Sequence, residues 1–445
     1  MKRLKIITPE EMDLAYQEEF TLATRKKFKY KAPFFTSHIV KQLIDMYGEE
    51  ATYTSGIKVY TTLDYKLQEK AANIVSKYVE LGKKTYWIKG EKTEGLNVSQ
   101  GSILSIEPST GYIKVLQGGV NFKNNEFNRC TQAKRQPGSS FKPFVYLAAL
   151  EKGFSPGTIL DDAPVTFNTI EGPYSPLNYN LKYNGKLPMR KALEKSVNVI
   201  AIKINDLVGP ASVVQKARLA GIQAPMKPVL SLPLGANEVT MLELVSSYGV
   251  FANQGRRVEP VSILRIEDRD GIVLYQHKLK EKKVIDRNLI STLVDMMKGI
   301  VKYGTGRNAN LPRPVAGKTG TTSDYRDAWF VGFVPQLVTG VWVGNDDNSS
   351  MTNMTGGWFP ALMWKEFMIE ALRNVPAQDF PSPRGLVSRK VNWLTGNLAN
   401  EFSPKDKVTV EKFWRGKEPT ISDRPSSFKQ KDDTEEGEVL DFFNM

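Results

Sequence analysis

Residues 135–144 read Arg135-Gln136-Pro137-Gly138-Ser139-Ser140-Phe141-Lys142-Pro143-Phe144. Pro137-Gly138 ends a loop, and the apolar run from Phe141 to Lys152 behind it has helical character, so Ser139 is predicted to open a helix. Unpaired backbone N–H groups and the positive end of the helix dipole favour an oxyanion there. Residues i and i+3 share a helix face, which brings the Lys142 amine to the Ser139 hydroxyl. Pro143 is tolerated in a first turn. A lysine that is desolvated or set beside another cation loses its proton more readily and can serve as a base. Two other Ser-x-x-Lys runs occur, Ser55-Gly56-Ile57-Lys58 and Ser426-Ser427-Phe428-Lys429. Ser55 is predicted to precede a strand, where positions three apart face opposite sides, and Ser426 falls in a charged tail without a core.

The composition leaves few other routes to nucleophilic chemistry. The 445 residues carry one cysteine and two histidines. His38 falls in an amphipathic helical segment and His277 at the end of an alternating strand, so a Ser-His-Asp triad is not expected. Cys130, alone among polar residues, reads as a structural thiol, and a Cys/His zinc cage has too few ligands. No metal or cofactor is expected. The net charge of +13 suits an anionic partner or a solvated basic surface. The basic residues are spread out, without the pattern of a nucleic-acid module, so no nucleic acid is expected as partner. No run approaches the 18 or so apolar residues of a membrane span. The basic opening Met1-Lys2-Arg3 lacks the apolar stretch of a signal peptide, so no export address is expected on this chain.

Residues 8–50 are predicted helical, Ile57 to Leu63 a strand and Leu67 to Val79 a helix; Lys83 to Ser99 reads as a loop or linker. Ile103–Ile106 and Tyr112–Leu116 flank Pro108-Ser109-Thr110-Gly111 as a hairpin. Helical segments are expected around Arg190 to Leu207, Ala211 to Leu219 and Val239 to Asn253, with strands at Asp327–Phe333 and Leu337–Val343. Strands early, helices in the middle and strands at the end imply an α/β (α+β) domain whose sheet closes N- against C-terminal strands. Beyond Asn374 the chain turns Pro-, Lys- and Asp-rich, and from Ile421 it is expected to be disordered.

Two further motifs stand apart in the chain. Ser196-Val197-Asn198 is a Ser-x-Asn that, read alone, is an ordinary cap or turn. Gly317-Lys318-Thr319-Gly320-Thr321 tempts towards a phosphate-binding loop. That reading fails, because position 312 is Pro312 where a glycine is needed and a strand follows instead of a helix.

Ser-x-x-Lys, Ser-x-Asn and Lys-Thr-Gly in this order form the active-site set of penicillin-binding proteins and serine β-lactamases. With Phe127-Asn128-Arg129, Pro176-Leu177-Asn178-Tyr179, Arg190-Lys191-Ala192-Leu193 and Leu234-Gly235-Ala236-Asn237-Glu238, the chain resembles the transpeptidase half of a class A penicillin-binding protein over roughly residues 8–415. The resemblance implies the penicillin-binding transpeptidase fold, an antiparallel sheet flanked by helices with an all-helical subdomain. It divides the chain into the tail of a glycosyltransferase domain (1–30), a linker region (31–98), the transpeptidase domain (99–375), an extension (376–420) and a tail (421–445). It implies that Ser139 is acylated by the penultimate D-Ala of a peptidoglycan stem peptide, with Lys142 as base and Ser196 and Lys318 relaying the proton. Asn198, Thr319, Gly320 and Thr321 would bind substrate, with the Ser139 and Thr321 N–H groups as oxyanion hole. The implied partners are D-Ala-D-Ala donors, amine acceptors and β-lactams, at the extracytoplasmic face of the bacterial membrane. Membrane attachment would come through an N-terminal anchor missing from this chain or through a partner chain. Glycan polymerisation is not expected. A β-lactamase, or a β-lactam-sensing domain without catalysis, remains the alternative.

Overall fold

The computed structural model describes residues 7–17, 30–88, 90–169 and 172–424. A five-stranded antiparallel sheet carries the fold. Its strands are β1 (Gln100–Ile106), β2 (Ile113–Gln117), β3 (Ala316–Thr321), β4 (Asp327–Val334) and β5 (Leu337–Gly344), in the spatial order β3-β4-β5-β1-β2. The early hairpin is therefore stitched to the late one, Val338 opposite Ile106 and Val341 opposite Ile103, as the order of strands and helices implied. It leaves β3, with Lys318, as an edge.

Both faces of this sheet are covered, and its strands accordingly read as nearly continuous apolar runs. Along β4, Trp329, Val331 and Phe333 enter one core while Ala328 and Phe330 enter the other. The first core also takes in helices α1 (Pro33–Tyr47), α3 (Lys142–Glu151), α4 (Met189–Glu194), α5 (Asn198–Val208), α6 (Met241–Ala252) and α7 (Arg287–Lys302). On the opposite face lie α2 (Tyr65–Leu81) and α8 (Phe359–Ala371), the latter burying Trp364, Phe367 and Met368. Each such side chain contributes about 1.5–3 kcal/mol by leaving water. Caps set the helix starts: Asp64 accepts from Leu67 N, Asp286 from Asn288 N, and Thr240 forms a reciprocal box with Glu243.

Several expectations need correction. The stretch Lys83–Ser99 is not all loop: Thr85–Ile88 pairs with Glu91–Glu94 around Gly90. The predicted helix over Arg190–Leu207 is two helices, α4 and α5, broken at Lys195–Val197. The apolar helix after Pro137 begins at Lys142; Ser139 sits in a preceding 3-10 turn, Gly138–Phe141. Within residues 8–50, Pro9–Gln17, α1 and Glu49–Thr54 are helical, and residues 18–29 lie outside the described ones. The extension carries a hairpin, β6 (Leu386–Asn392) with β7 (Val408–Trp414). Ile421–Arg424 is ordered onto it, because the Asp423 carboxylate accepts from Asn392, Thr395 and Ser403. Residues 425–445, including Ser426, lie outside the described residues.

Candidate active site

The Gly138–Phe141 turn is nested on the end of β3. A Cβ on Gly320 would stand 2.3 Å from Pro137 O, and one on Gly138, whose φ is +55°, would stand 2.7 Å from Thr321 O. Glycine at both positions allows the contact. The turn is also tied by hydrogen bonds, with Ser140 Oγ donating to Pro137 O (2.6 Å), Tyr248 OH to Ser140 O (2.5 Å) and Trp329 Nε1 to Gln136 O (2.9 Å). Ser140 is fully buried, whereas its neighbour Ser139 stays half-buried and lines a cavity.

Across that cavity the chain reverses between α4 and α5. Ser196 holds φ = +57° there, with its N–H donating to Leu193 O (3.1 Å). The turn points its oxygens at the fully buried Lys142 amine, which donates to Ser196 O (2.6 Å), Asn198 Oδ1 (2.8 Å), Ser196 Oγ (3.3 Å) and Val197 O (3.3 Å). Lys318 Nζ, equally buried, donates to Ser196 Oγ at 2.8 Å. Ser196 Oγ thus bridges two amines. Among the described residues the expected Lys142–Ser139 hydrogen bond is absent: the amine faces the four oxygens of the reverse turn.

Two ammonium groups around one hydroxyl, shut away from water, cannot both keep their protons cheaply. Burial, followed by the charge of Lys318, holds Lys142 well below the usual lysine range. Burial pulls Lys318 down to about 7.

The cavity, about 590 Å³, is lined by Ser139, Ser196, Asn198, Thr319 and Thr321, together with Tyr179, Thr305, Arg307 and Trp358. Among the described residues no carboxylate lines it. Thr319 Oγ1 shares a 2.7 Å hydrogen bond with Thr305 Oγ1, and Thr321 Oγ1 accepts from Gly356 N (3.1 Å). The three motifs and the four substrate-binding candidates therefore converge, Gly320 serving through its missing side chain. The discarded sites do not converge: Ser55 bonds back to Ala51 O at the end of a short helix, and Gly317-Lys318-Thr319 lies within β3. His38 bonds to Gln42 within α1, its imidazole lowered to about 4 by burial and Lys41. Cys130 is buried, and burial pushes its thiol up.

Residues 101–355 match the model of the penicillin binding protein transpeptidase domain. Penicillin-binding protein 1A of Aquifex aeolicus is 32% identical over 498 aligned positions, covering 94% of this chain and 67% of that protein. The chain belongs to the penicillin-binding transpeptidase family. Penicillin-binding protein 2D of Bacillus subtilis is 33% identical, across 94% of this chain but 60% of its own length. The chain thus spans about three fifths of that relative. Penicillin-binding protein 1A from Haemophilus influenzae, a crystal structure, superposes with a TM-score of 0.77 at 26% identity, over 95% of this chain and 81% of that one. PonA1 from Mycobacterium tuberculosis, solved in complex with penicillin V, gives 0.70 at 26% identity, over 80% of this chain and 96% of that one. The family and fold drawn from the motifs are borne out.

Sequence reading assigned no role to Asn178. Its Oδ1 accepts from Asn198 N (2.9 Å) and Val199 N (3.2 Å), capping α5, whose own N-cap residue Val197 has no side chain able to do so. Its Nδ2 donates to both oxygens of the buried Asp162 (2.8 and 2.9 Å). Thr305 and Trp358 were missed too. The signal for Asn178 was its place in Pro176-Leu177-Asn178-Tyr179, a run that carried the resemblance without naming a task.

Proposed function

We propose that this chain is a peptidoglycan DD-transpeptidase that works through an acyl-enzyme on Ser139. The observation that supports it best is the Lys142–Ser196–Lys318 bridge beside Ser139, in a cavity that no carboxylate of the described residues lines. Lys142 in its neutral form takes the Ser139 proton as Oγ attacks the carbonyl carbon of the penultimate D-Ala. The carbonyl oxygen becomes the oxyanion, held by the Ser139 and Thr321 N–H groups. The C–N bond to the terminal D-Ala then breaks. Ser196, which receives hydrogen bonds from two amines and keeps its own proton to give, protonates the leaving nitrogen and is resupplied from the lysines. Thr319 and Thr321 hold the terminal carboxylate and Asn198 the peptide amide. An amine of a neighbouring stem next attacks the ester carbonyl, which cross-links two peptides and frees Ser139. Water in place of the amine gives the carboxypeptidase reaction. A β-lactam enters the first step and stays, because among the described residues no acidic side chain lines the cavity to activate water on the ester. That distinguishes this reading from a β-lactamase. The natural setting is the extracytoplasmic face of the bacterial membrane, where stem peptides are found.

A fluorescent penicillin should label the wild-type chain at a single residue, leave Ser139→Ala unlabelled and persist on the protein for many minutes. Labelling of Ser139→Ala, or release of the label within seconds, would overturn the proposal.

A further inference from the structure

The match to the transpeptidase family ends at residue 355, and β6 and β7 lie beyond it. Yet β7 is bound to the catalytic core at several points. Phe413 packs so closely on Gly157 that a Cβ there would stand 2.4 Å from its ring. Gly157 N donates to Lys412 O (2.9 Å), Trp414 N to Ser155 Oγ (3.0 Å) and Trp414 Nε1 to Phe154 O (2.9 Å). These contacts set Glu411, 1% exposed, against Arg190 in the first turn of α4, where Arg190 Nε donates to Glu411 Oε2 at 3.2 Å. The other edge of the same guanidinium donates to Asp295 of α7, at 2.7 Å to its carboxylate and 3.0 Å to its carbonyl. Lys412 reaches that carboxylate from the more exposed side (3.0 Å).

The grip falls on a helix of only six residues, whose last turn leads into Ser196. Ser196 N bonds to Leu193 O and Val197 N to Ala192 O, so the serine is carried by α4. Asn198 is anchored separately, by Asn178. Between them run the Ser196–Val197 backbone, already in a left-handed conformation at Ser196, and the Lys142 amine that donates to both residues; with Asn198 held by Asn178, a shift of α4 moves Ser196 more than Asn198.

We propose that Glu411 is a positioning residue for the transpeptidase site: through Arg190 it fixes α4, and thereby places Ser196 between Lys142 and Lys318. The hairpin that carries it is then part of the catalytic unit. This rests on the acyl-enzyme reading above. Losing the acceptor leaves one edge of a buried guanidinium unpaired, which drives Arg190 and α4 to rearrange.

The test is acylation of the full chain by a fluorescent penicillin, resolved into the pre-acylation dissociation constant and the limiting acylation rate. Glu411→Ala should lower the limiting rate about tenfold, with the dissociation constant changed less than about twofold because the Asn198, Thr319 and Thr321 contacts stay. Glu411→Gln, which restores a neutral acceptor, should recover most of that loss. Lys412→Met, which touches Asp295 but not Arg190, should acylate like wild type. The inference is overturned if folded Glu411→Ala acylates at the wild-type rate, if rate and binding fall together, or if Lys412→Met is slowed equally. Should Glu411→Ala not fold, Glu411→Gln alone decides, since a wild-type limiting rate in it also overturns the inference and a two- to threefold fall supports it. A wild-type chain not labelled at Ser139 would instead refute the transpeptidase reading.

Discussion

The two sides of the cleft are built differently. The Ser139 side is backbone against backbone: the Gly138–Phe141 turn lies on β3 at distances that admit only glycine at 138 and 320, on a sheet buried on both faces. The Ser196 side is a reverse turn joining two helices, held by single side chains: Asn178 on α5, Arg190 with Asp295 and Glu411 on α4. A close-packed backbone contact changes only by breaking, whereas a side-chain anchor can be weakened in steps. On the proposed mechanism the nucleophile is thus placed by the fold and the proton relay by a few polar contacts. Changes to the first side should cost folding and activity together; changes to the second should cost activity first.

The strongest challenge is Gly320→Ala. The added methyl meets Pro137 O and must push the Ser139 turn off β3, so penicillin acylation should fall about a hundredfold with a lowered melting temperature. An acylation rate near wild type would break the comparison. Asn178→Ala removes the cap of α5 and leaves Asp162 short of donors, so acylation should fall about tenfold and stability by about 1–2 kcal/mol, read by labelling and denaturant titration. The pH profile sharpens the picture of the relay. Lys142 must be neutral to act as base, so the rate is lost as pH falls through its lowered pKa. If Lys318 resupplies the relay as a cation, as proposed, the rate is also lost as pH rises through about 7. The acylation profile should be bell-shaped, its limbs belonging to the coupled pair. Lys318→Arg should lose the alkaline limb, because arginine keeps its charge. The smallest effect is expected at Cys130→Ala, where a buried thiol is replaced well away from the cavity. About 1–2 kcal/mol of stability should go while acylation is unchanged.

The sheet was legible in sequence because its strands carry period-two and near-continuous apolar patterns, and the site because three motifs occur in one order. The break at Lys195–Val197 was not. Ala192-Leu193 and Val199-Ile200-Ala201 keep helical periodicity on both sides, and nothing local announces a serine at φ = +57°; the conformation is enforced by Lys142 and Asn178, both distant in sequence. The expected Lys142–Ser139 hydrogen bond failed for a related reason. Spacing along one helix said where Lys142 starts, but the acceptors that hold its amine come from 54 to 56 positions away. The hairpin at Thr85–Glu94 was hidden by its polar composition, as two short exposed strands carry almost no apolar signal.

The left-handed backbone at Ser196 sets natural selection for stability against selection for activity. A residue with a Cβ costs about 1–2 kcal/mol in that conformation, a cost glycine escapes. A search for hardier variants of this protein, scored on heat resistance alone, should therefore favour Ser196→Gly, and every clone so chosen would have discarded the hydroxyl that joins the two lysines. The serine persists only where the acylation chemistry proposed for the site is what is being selected.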